Sequence, residues 1–321
     1  MVGSGAITLC VAWALFSGVL PSPLAHPNER SLHVRPVPRT GGVAIWAGAS
    51  LAWIVAGAPA WWLAPLGAVL GISLLDDWRG VPAPIRLIVH GGGACIVAIA
   101  YRDSGSSLGW PLAALEALAI TWVANLYNFM DGSDGLAAGT GALGFAAYAL
   151  AAMQGNAPGL AIQCATVAAA CAAFLVFNYP PARLFMGDIG SVGLGFVAGL
   201  FGLHGFATGV WDFWLPPLVF APFVADATIT LLRRWRRGER LSQAHRDHFY
   251  QRKIVVEGAH GGTLRAYLGW SLLCGVAALA AARWRSDAGV VVTLVAFLAF
   301  GAYCRVIDRR WTAHVRATHA A

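Results

Sequence analysis

The chain has 321 residues, is 58% hydrophobic and only 12% charged, and carries a formal net charge of +7. A typical soluble domain is roughly 25% charged, so this composition, with a mean hydropathy of +0.64, excludes soluble domains and predicts one integral membrane domain over 1–321. The basic excess lies beside hydrophobic runs, where topology control and anionic lipid account for it, so no nucleic-acid partner is expected.

Eleven apolar spans can be drawn, at 3–24, 43–58, 60–75, 86–101, 112–128, 136–153, 159–177, 191–208, 213–232, 264–282 and 288–304. They predict an all-α polytopic membrane protein with about 10–11 transmembrane helices. Several are short or interrupted by Gly or Pro, which predicts tilted or broken helices. The first run ends in Pro-Leu-Ala like a secretory signal, yet lacks a positively charged start, so a first transmembrane helix is expected. All six cysteines fall in apolar runs without CxxC spacing and are expected to be small buried apolar residues. The tryptophans are expected in interfacial belts and packing.

With the N-terminus outside, the inner loops receive Arg30, Arg35, Arg39, Arg79, Arg86, Arg183, the cluster at 233–265 and the tail at 305–316. The outer loops receive Arg102, Arg283 and Arg285. The positive-inside rule demands this asymmetry, and it puts every polar motif on the cytoplasmic face. The excess of Arg over the single Lys253 suggests a GC-rich bacterial genome, and so a bacterial inner membrane is expected.

The first motif is Asn28-Glu29-Arg30-Ser31-Leu32-His33, followed by Pro36-Val37-Pro38-Arg39-Thr40-Gly41-Gly42. A Pro-Arg-x-Gly-Gly turn entering a helix can offer Arg39 and bare backbone to a phosphate. Next come Asp76 and Asp77 at the inner end of the third span. Adjacent helical residues point about 100° apart, so the two carboxylates have separate roles: one faces a cation or base site, the other orients it. A solvated helix end with Arg79 as partner is the plainer alternative.

At 125–136, Asn125, Asn128, Asp131 and Asp134 recur every three residues at the end of an apolar span. That spacing makes successive pairs neighbours on a helix, and Gly132 and Gly135 permit a sharp turn close to a ligand. Asp-Gly pairs are also ordinary turn signals, but two intramembrane asparagines leading into two aspartates favour function. At 185–191, Asp188 stands between glycines ahead of the next span, where helix N–H groups and Ser191 would stabilise anions. Mg²⁺ takes one or two carboxylates plus substrate phosphates, which makes Asp188 the first choice of metal ligand. Asn178 and Arg183 read equally as packing and a topology charge.

Asp226 is an intramembrane acid and therefore a candidate, with pairing to a nearby Arg as the alternative. The loop from Arg233 to Lys253 starts as a surface patch of arginines. His245, Arg246 and His248 further along it offer donors and charge for a pyrophosphate. His260 is a weaker candidate.

In this order and on one face, these motifs resemble the polyprenyl-phosphate N-acetylhexosamine-1-phosphate transferases. The specific pair is Asn-x-x-Asn-x-x-Asp-Gly-x-Asp-Gly-Leu at 125–136 and Phe-Met-Gly-Asp-x-Gly-Ser at 185–191, with Asp76-Asp77 adding to it. The resemblance implies a Mg²⁺-dependent reaction, with Mn²⁺ as a substitute. It implies undecaprenyl phosphate as acceptor, a UDP-N-acetylhexosamine as donor and UMP as leaving group, and it accommodates a homodimer. It makes Asp76 and Asp77 the paired catalytic acids, one or the other expected to keep the acceptor phosphate deprotonated, Asp131 and Asp134 the nucleotide-sugar pair, and Asp188 the metal ligand. His245, Arg246 and His248 fall in the family's His-rich loop, and Ala-His-Arg-Asp-His-Phe-Tyr-Gln-Arg is similar to the O-antigen-initiating branch. The competing classes are a transporter of an anionic solute and a CDP-alcohol-type phosphatidyl transferase. The carboxylates gather at one surface rather than the midplane, and no Ala-Arg follows the first Asp-Gly.

Overall fold

A computed structural model of the chain describes residues 1–27, 35–58, 60–103, 110–240, 245–284 and 286–320. The motif at 28–33 lies outside the described residues, as do Gln243 and Ala244. The described elements are α1 (Val2–Phe16), β1 (Leu24–Ala25), β2 (Val37–Pro38), α2 (Gly42–Val55), α3 (Ala60–Arg79), α4 (Ala83–Asp103), α5 (Trp110–Phe129), α6 (Leu136–Gln154), α7 (Pro158–Asn178), α8 (Gly187–Ala207), α9 (Leu215–Val219), α10 (Ala221–Arg236), α11 (Phe249–Glu257), α12 (His260–Trp284) and α13 (Ser286–Ala320).

Each predicted span contains a helix, although α1 stops at Phe16 and the end of the 3–24 span turns into β1. Among the described residues seven helices are long and apolar enough to cross a membrane: α4 to α8, α12 and α13. α1 and α2 are apolar but short, and α3 ends in Asp76, Asp77 and Arg79. The 213–232 span breaks at Phe220 into α9 and α10, with Pro216, Pro217 and Pro222 around the break. Proline removes backbone donors and clashes with the preceding turn, so apolarity persists across a stretch where the helix does not.

The centre of the bundle is α8, which packs against α2, α3, α4, α5, α6, α7 and α9. Small residues permit that approach. At Gly195 an added Cβ would sit 2.6 Å from the Val123 carbonyl oxygen of α5. By contrast α4 and α13 leave Ile88, Ile96, Leu294 and Leu298 exposed, the apolar flank expected of a helix facing lipid. The tryptophans divide as expected: Trp46, Trp53 and Trp62 are buried, whereas Trp78 and Trp235 are exposed. The cysteines depart from expectation: Cys164, Cys171, Cys274 and Cys304 are buried, but Cys10 and Cys95 are exposed. An apolar run places a cysteine on a helix without choosing between core and lipid flank.

The C-terminal ends of α3, α5 and α7 and the N-terminal ends of α8, α11 and α12 meet at one end of the bundle, where Asp77, Asn128, Asn178, Asp188, Tyr250 and His260 line the cavity described below. The β1–β2 hairpin pairs Leu24 with Pro38 and Ala25 with Val37 and lies at the same end.

Candidate active site

A cavity of about 390 Å³ opens among these termini. Seven residues predicted from sequence line it: Arg39, Asp77, Asn128, Asp131, Asp134, Asp188 and the weaker candidate His260. Asn178, Phe185, Tyr250 and Gln251 join them. Sequence distances of up to about two hundred residues thus collapse into one site.

Asp77 faces the start of α8. Its two carboxylate oxygens accept the backbone N–H groups of Asp188 at 3.0 Å and Ile189 at 3.1 Å. The first N–H groups of a helix have no intrahelical partner, so a carboxylate from α3 caps α8. Arg39 works at the other end of the same contact. Its Nε donates to the Asp77 carbonyl at 2.9 Å and its Nη2 to that of Asp76 at 3.3 Å, which satisfies the end of α3. The bare backbone of the Gly41-Gly42 turn is also committed, because both N–H groups donate to the Phe185 and Met186 carbonyls at 2.8 Å.

Gly187 holds this junction at φ +68°, and a Cβ there would overlap the Arg39 carbonyl oxygen and the Asp77 carboxylate. Gly187→Ala is expected to destabilise the protein by about 2 kcal/mol or more and to remove most activity, as measured by a thermal melt alongside turnover.

Asp76 points elsewhere. One oxygen accepts the Val81 N–H and the other takes Arg86 Nη1, each at 2.5 Å. The same Arg86 nitrogen lies 2.7 Å from Asp188 Oδ2. A single guanidinium therefore ties the end of α3 to the start of α8. Asn128 Nδ2 approaches Asp188 Oδ2 at 3.4 Å, and Ser191 Oγ donates to Asn128 Oδ1 at 2.7 Å. Arg86 was legible only as a topology charge; its spacing of ten from Asp76, across a Gly-Val-Pro turn, was the available signal.

Asp134 accepts the Ala182 N–H at 3.0 Å through Oδ2, and its own N–H donates to His260 Nδ1 at 3.1 Å. Asn178 is buried and joins two loops, accepting from Gly135 N–H at 3.0 Å and donating to the Leu184 carbonyl at 2.9 Å. Arg183 lies over the Phe16 and Phe177 rings and donates to the Val176 carbonyl. Asn125 is not brought in. Its amide bonds the Thr121 carbonyl of its own helix at 2.8 Å, one turn behind the cavity lining.

Among the described residues Asp226 has neither an arginine partner nor a place in the cavity wall. Fully buried, it accepts the N–H groups of Phe249 and Tyr250, each at 3.0 Å, and the Tyr267 hydroxyl at 2.5 Å. His248 Nδ1 lies 3.2 Å from it. Asp226 thus caps α11, as Asp77 caps α8. This cap puts Tyr250 at the cavity, where its hydroxyl donates to the Phe129 carbonyl at 3.0 Å. Of the basic-loop candidates, His248 is buried and lies outside the cavity lining, its ring 6.1 Å from that of Phe129 and 5.8 Å from that of Tyr250. Burial, with His248 and Arg234 nearby, pushes His245 down to about 4, so it is neutral near pH 7. Arg246 is exposed. Arg234 and Arg252 pair with Asp247, and Arg233 and Arg252 with Asp308.

The cavity is strongly anionic. Burial, then the charges of Asp188, Asp77 and Asp134, push the Asp131 carboxyl well above the ordinary range. Such a site calls for a cation, but among the described residues no three acidic, histidine or cysteine side chains are grouped to hold one. The donor set suits an ion that takes part of its shell from substrate phosphates.

Residues 60–205 match the family model described as glycosyl transferase family 4, a stretch that contains Asp76 through Asp188 but neither Arg39 nor α11. The chain is 27% identical over 256 residues to the probable undecaprenyl-phosphate N-acetylglucosaminyl 1-phosphate transferase of Bacillus subtilis (strain 168), covering 73% of this chain and 70% of that protein. It is 28% identical over 306 residues to the decaprenyl-phosphate N-acetylglucosaminephosphotransferase of Mycolicibacterium smegmatis, covering 81% and 74%. A third relative, the phospho-N-acetylmuramoyl-pentapeptide-transferase of Rippkaea orientalis, is 34% identical over 48% of this chain and 47% of its own.

Proposed function

We propose that the chain is a polyprenyl-phosphate N-acetylhexosamine-1-phosphate transferase, which transfers N-acetylhexosamine 1-phosphate from a UDP-sugar to undecaprenyl phosphate. The match to glycosyl transferase family 4 over residues 60–205 and the likeness to two such enzymes over most of the chain support it. UMP is released, and the lipid-linked sugar initiates a cell-envelope polysaccharide of the O-antigen type. The observation that carries this reading is the convergence of Asp77, Asn128, Asp131, Asp134 and Asp188 on one cavity at the ends of membrane-length helices. A transport path would carry its ionisable groups near the midplane, and nothing supports that alternative here.

The cavity faces the cytoplasm in this proposal, since Arg79, Arg183, Arg233 and the neighbours of Arg233 lie at the same end. A phosphate oxygen of the acceptor attacks the β-phosphorus of the donor. As the new P–O bond forms, the bond to UMP breaks, and Asp131 takes the acceptor's proton. Phosphoryl transfer needs position and charge neutralisation more than covalent help. Asp188, braced by Arg86 and Asn128, would hold Mg²⁺ or Mn²⁺ together with donor phosphate oxygens, and the bound ion would neutralise charge on the leaving phosphate. Asp76 and Asp77 contribute by fixing Arg86 and the first turn of α8, whose position sets that of Asp188.

N-acetylglucosamine is the first sugar to test, because the relatives matched over most of the chain are named for it. The purified protein is expected to release UMP from UDP-N-acetylglucosamine or another UDP-N-acetylhexosamine only with polyprenyl phosphate present. EDTA should stop release and added Mg²⁺ restore it. Release without lipid, or none across a panel of UDP-N-acetylhexosamines, would remove the proposal.

A further inference from the structure

One turn deeper than the Asp76–Arg86 pair, α3 and α4 bury a second polar layer. The two helices pack together in antiparallel sense. Ser73 lies three residues before Asp76, and His90 four after Arg86, so each shares a helix face with its neighbour. Ser73 is 1% and His90 2% exposed. Among the described residues no partner reaches Ser73 Oγ, either ring nitrogen of His90, or the buried Nε of Arg86. His90 is within electrostatic reach of both Arg86 and Asp76.

Buried polar groups are nearly always hydrogen-bonded, and a buried water typically has two to four polar partners. A hydroxyl, an imidazole and a guanidinium N–H, one helical turn apart on two packed helices and all buried, offer such a set. We propose that His90 is a positioning residue: with Ser73 it binds a water that accepts from Arg86 Nε–H, fixing the guanidinium that joins Asp76 to Asp188. His90 touches no substrate and acts through Arg86. A bland account makes His90 a core side chain that only fills space. It leaves four polar atoms unanswered beside the one arginine that bridges two carboxylates.

This inference rests on the transferase reading of the cavity, and two measurements separate the two. In the first, kcat and KM for the UDP-sugar are compared for wild type, His90→Leu, His90→Gln and Ser73→Ala. His90→Leu, of similar bulk without polar atoms, is expected to lower kcat roughly tenfold to hundredfold, the scale of a misplaced reacting group. KM should stay within about twofold, His90→Gln should recover most of the rate, and Ser73→Ala should show a smaller loss of the same kind. Equal losses in Leu and Gln variants, or a wild-type rate in His90→Leu, overturn the proposal. The second is a high-resolution structure of wild type and His90→Leu, which needs no turnover. A water shared by Ser73, Arg86 and His90, with Arg86 turned from Asp188 in the variant, supports the proposal even if the transferase reading fails. An unchanged Arg86–Asp188 contact in His90→Leu overturns it even if the enzyme is active.

Discussion

Asp188→Ala is expected to lower turnover by roughly a hundred- to a thousandfold, the scale on which a single charge-stabilising group acts in a catalytic site, while folding and membrane insertion persist. The carboxylate sits in the first turn of α8, part-exposed to the cavity. Its removal leaves Arg86 paired with Asp76 at 2.5 Å, so no buried charge is stranded. The α8 cap is also untouched, because Asp77 binds the backbone N–H of residue 188 and not its side chain. Asp134→Ala should abolish turnover too, but with a lower melting temperature, since its Oδ2 secures the Ala182 N–H. UMP release and melting measured on the same preparations distinguish the two. An Asp188→Ala protein that keeps more than about a tenth of its rate would take Asp188 out of the chemistry, since a group with the expected role costs far more.

The part of this site that was legible in sequence is the part written in local spacing. A three-residue repeat brings Asn128, Asp131 and Asp134 to the cavity because α5 ends at Phe129 and the chain turns there. The same repeat overextends by one step. Asn125 is still inside α5, where the stripe has drifted round the axis and the amide returns to its own helix. For Asp76 and Asp77, adjacency forced different partners, and they have them. Which partners they take depends on α4 and α8, whose approach no local pattern encodes. Arg86, Tyr250 and Gln251 were missed for that reason. Each is ordinary by composition and acquires meaning from a contact across tens of residues or more. The break at Phe220 falls where Pro216, Pro217 and Pro222 interrupt the 213–232 run, the kind of interruption that predicts a broken helix.

Asp226→Ala carries the other large effect, and it is expected in stability first. Removing one partner from a buried charged network typically costs about 3–5 kcal/mol. Here the loss strands the Phe249 and Tyr250 N–H groups, the Tyr267 hydroxyl and His248 together. With its cap gone α11 shifts, and Tyr250 and Gln251 leave the cavity wall, so activity falls with stability. Asp226→Asn separates a cap from a chemical residue. An amide keeps one acceptor oxygen, for the Phe249 N–H and His248, but turns an NH₂ toward the Tyr250 N–H, which can only donate, and the Tyr267 hydroxyl, which must then accept instead of donate. The variant should therefore melt between wild type and Asp226→Ala, and below its melting point it should retain a substantial rate. A group that reacted directly would give the opposite pair of results, a normal melt with turnover gone. Finding that pair in Asp226→Asn would move Asp226 from the scaffold into the reaction.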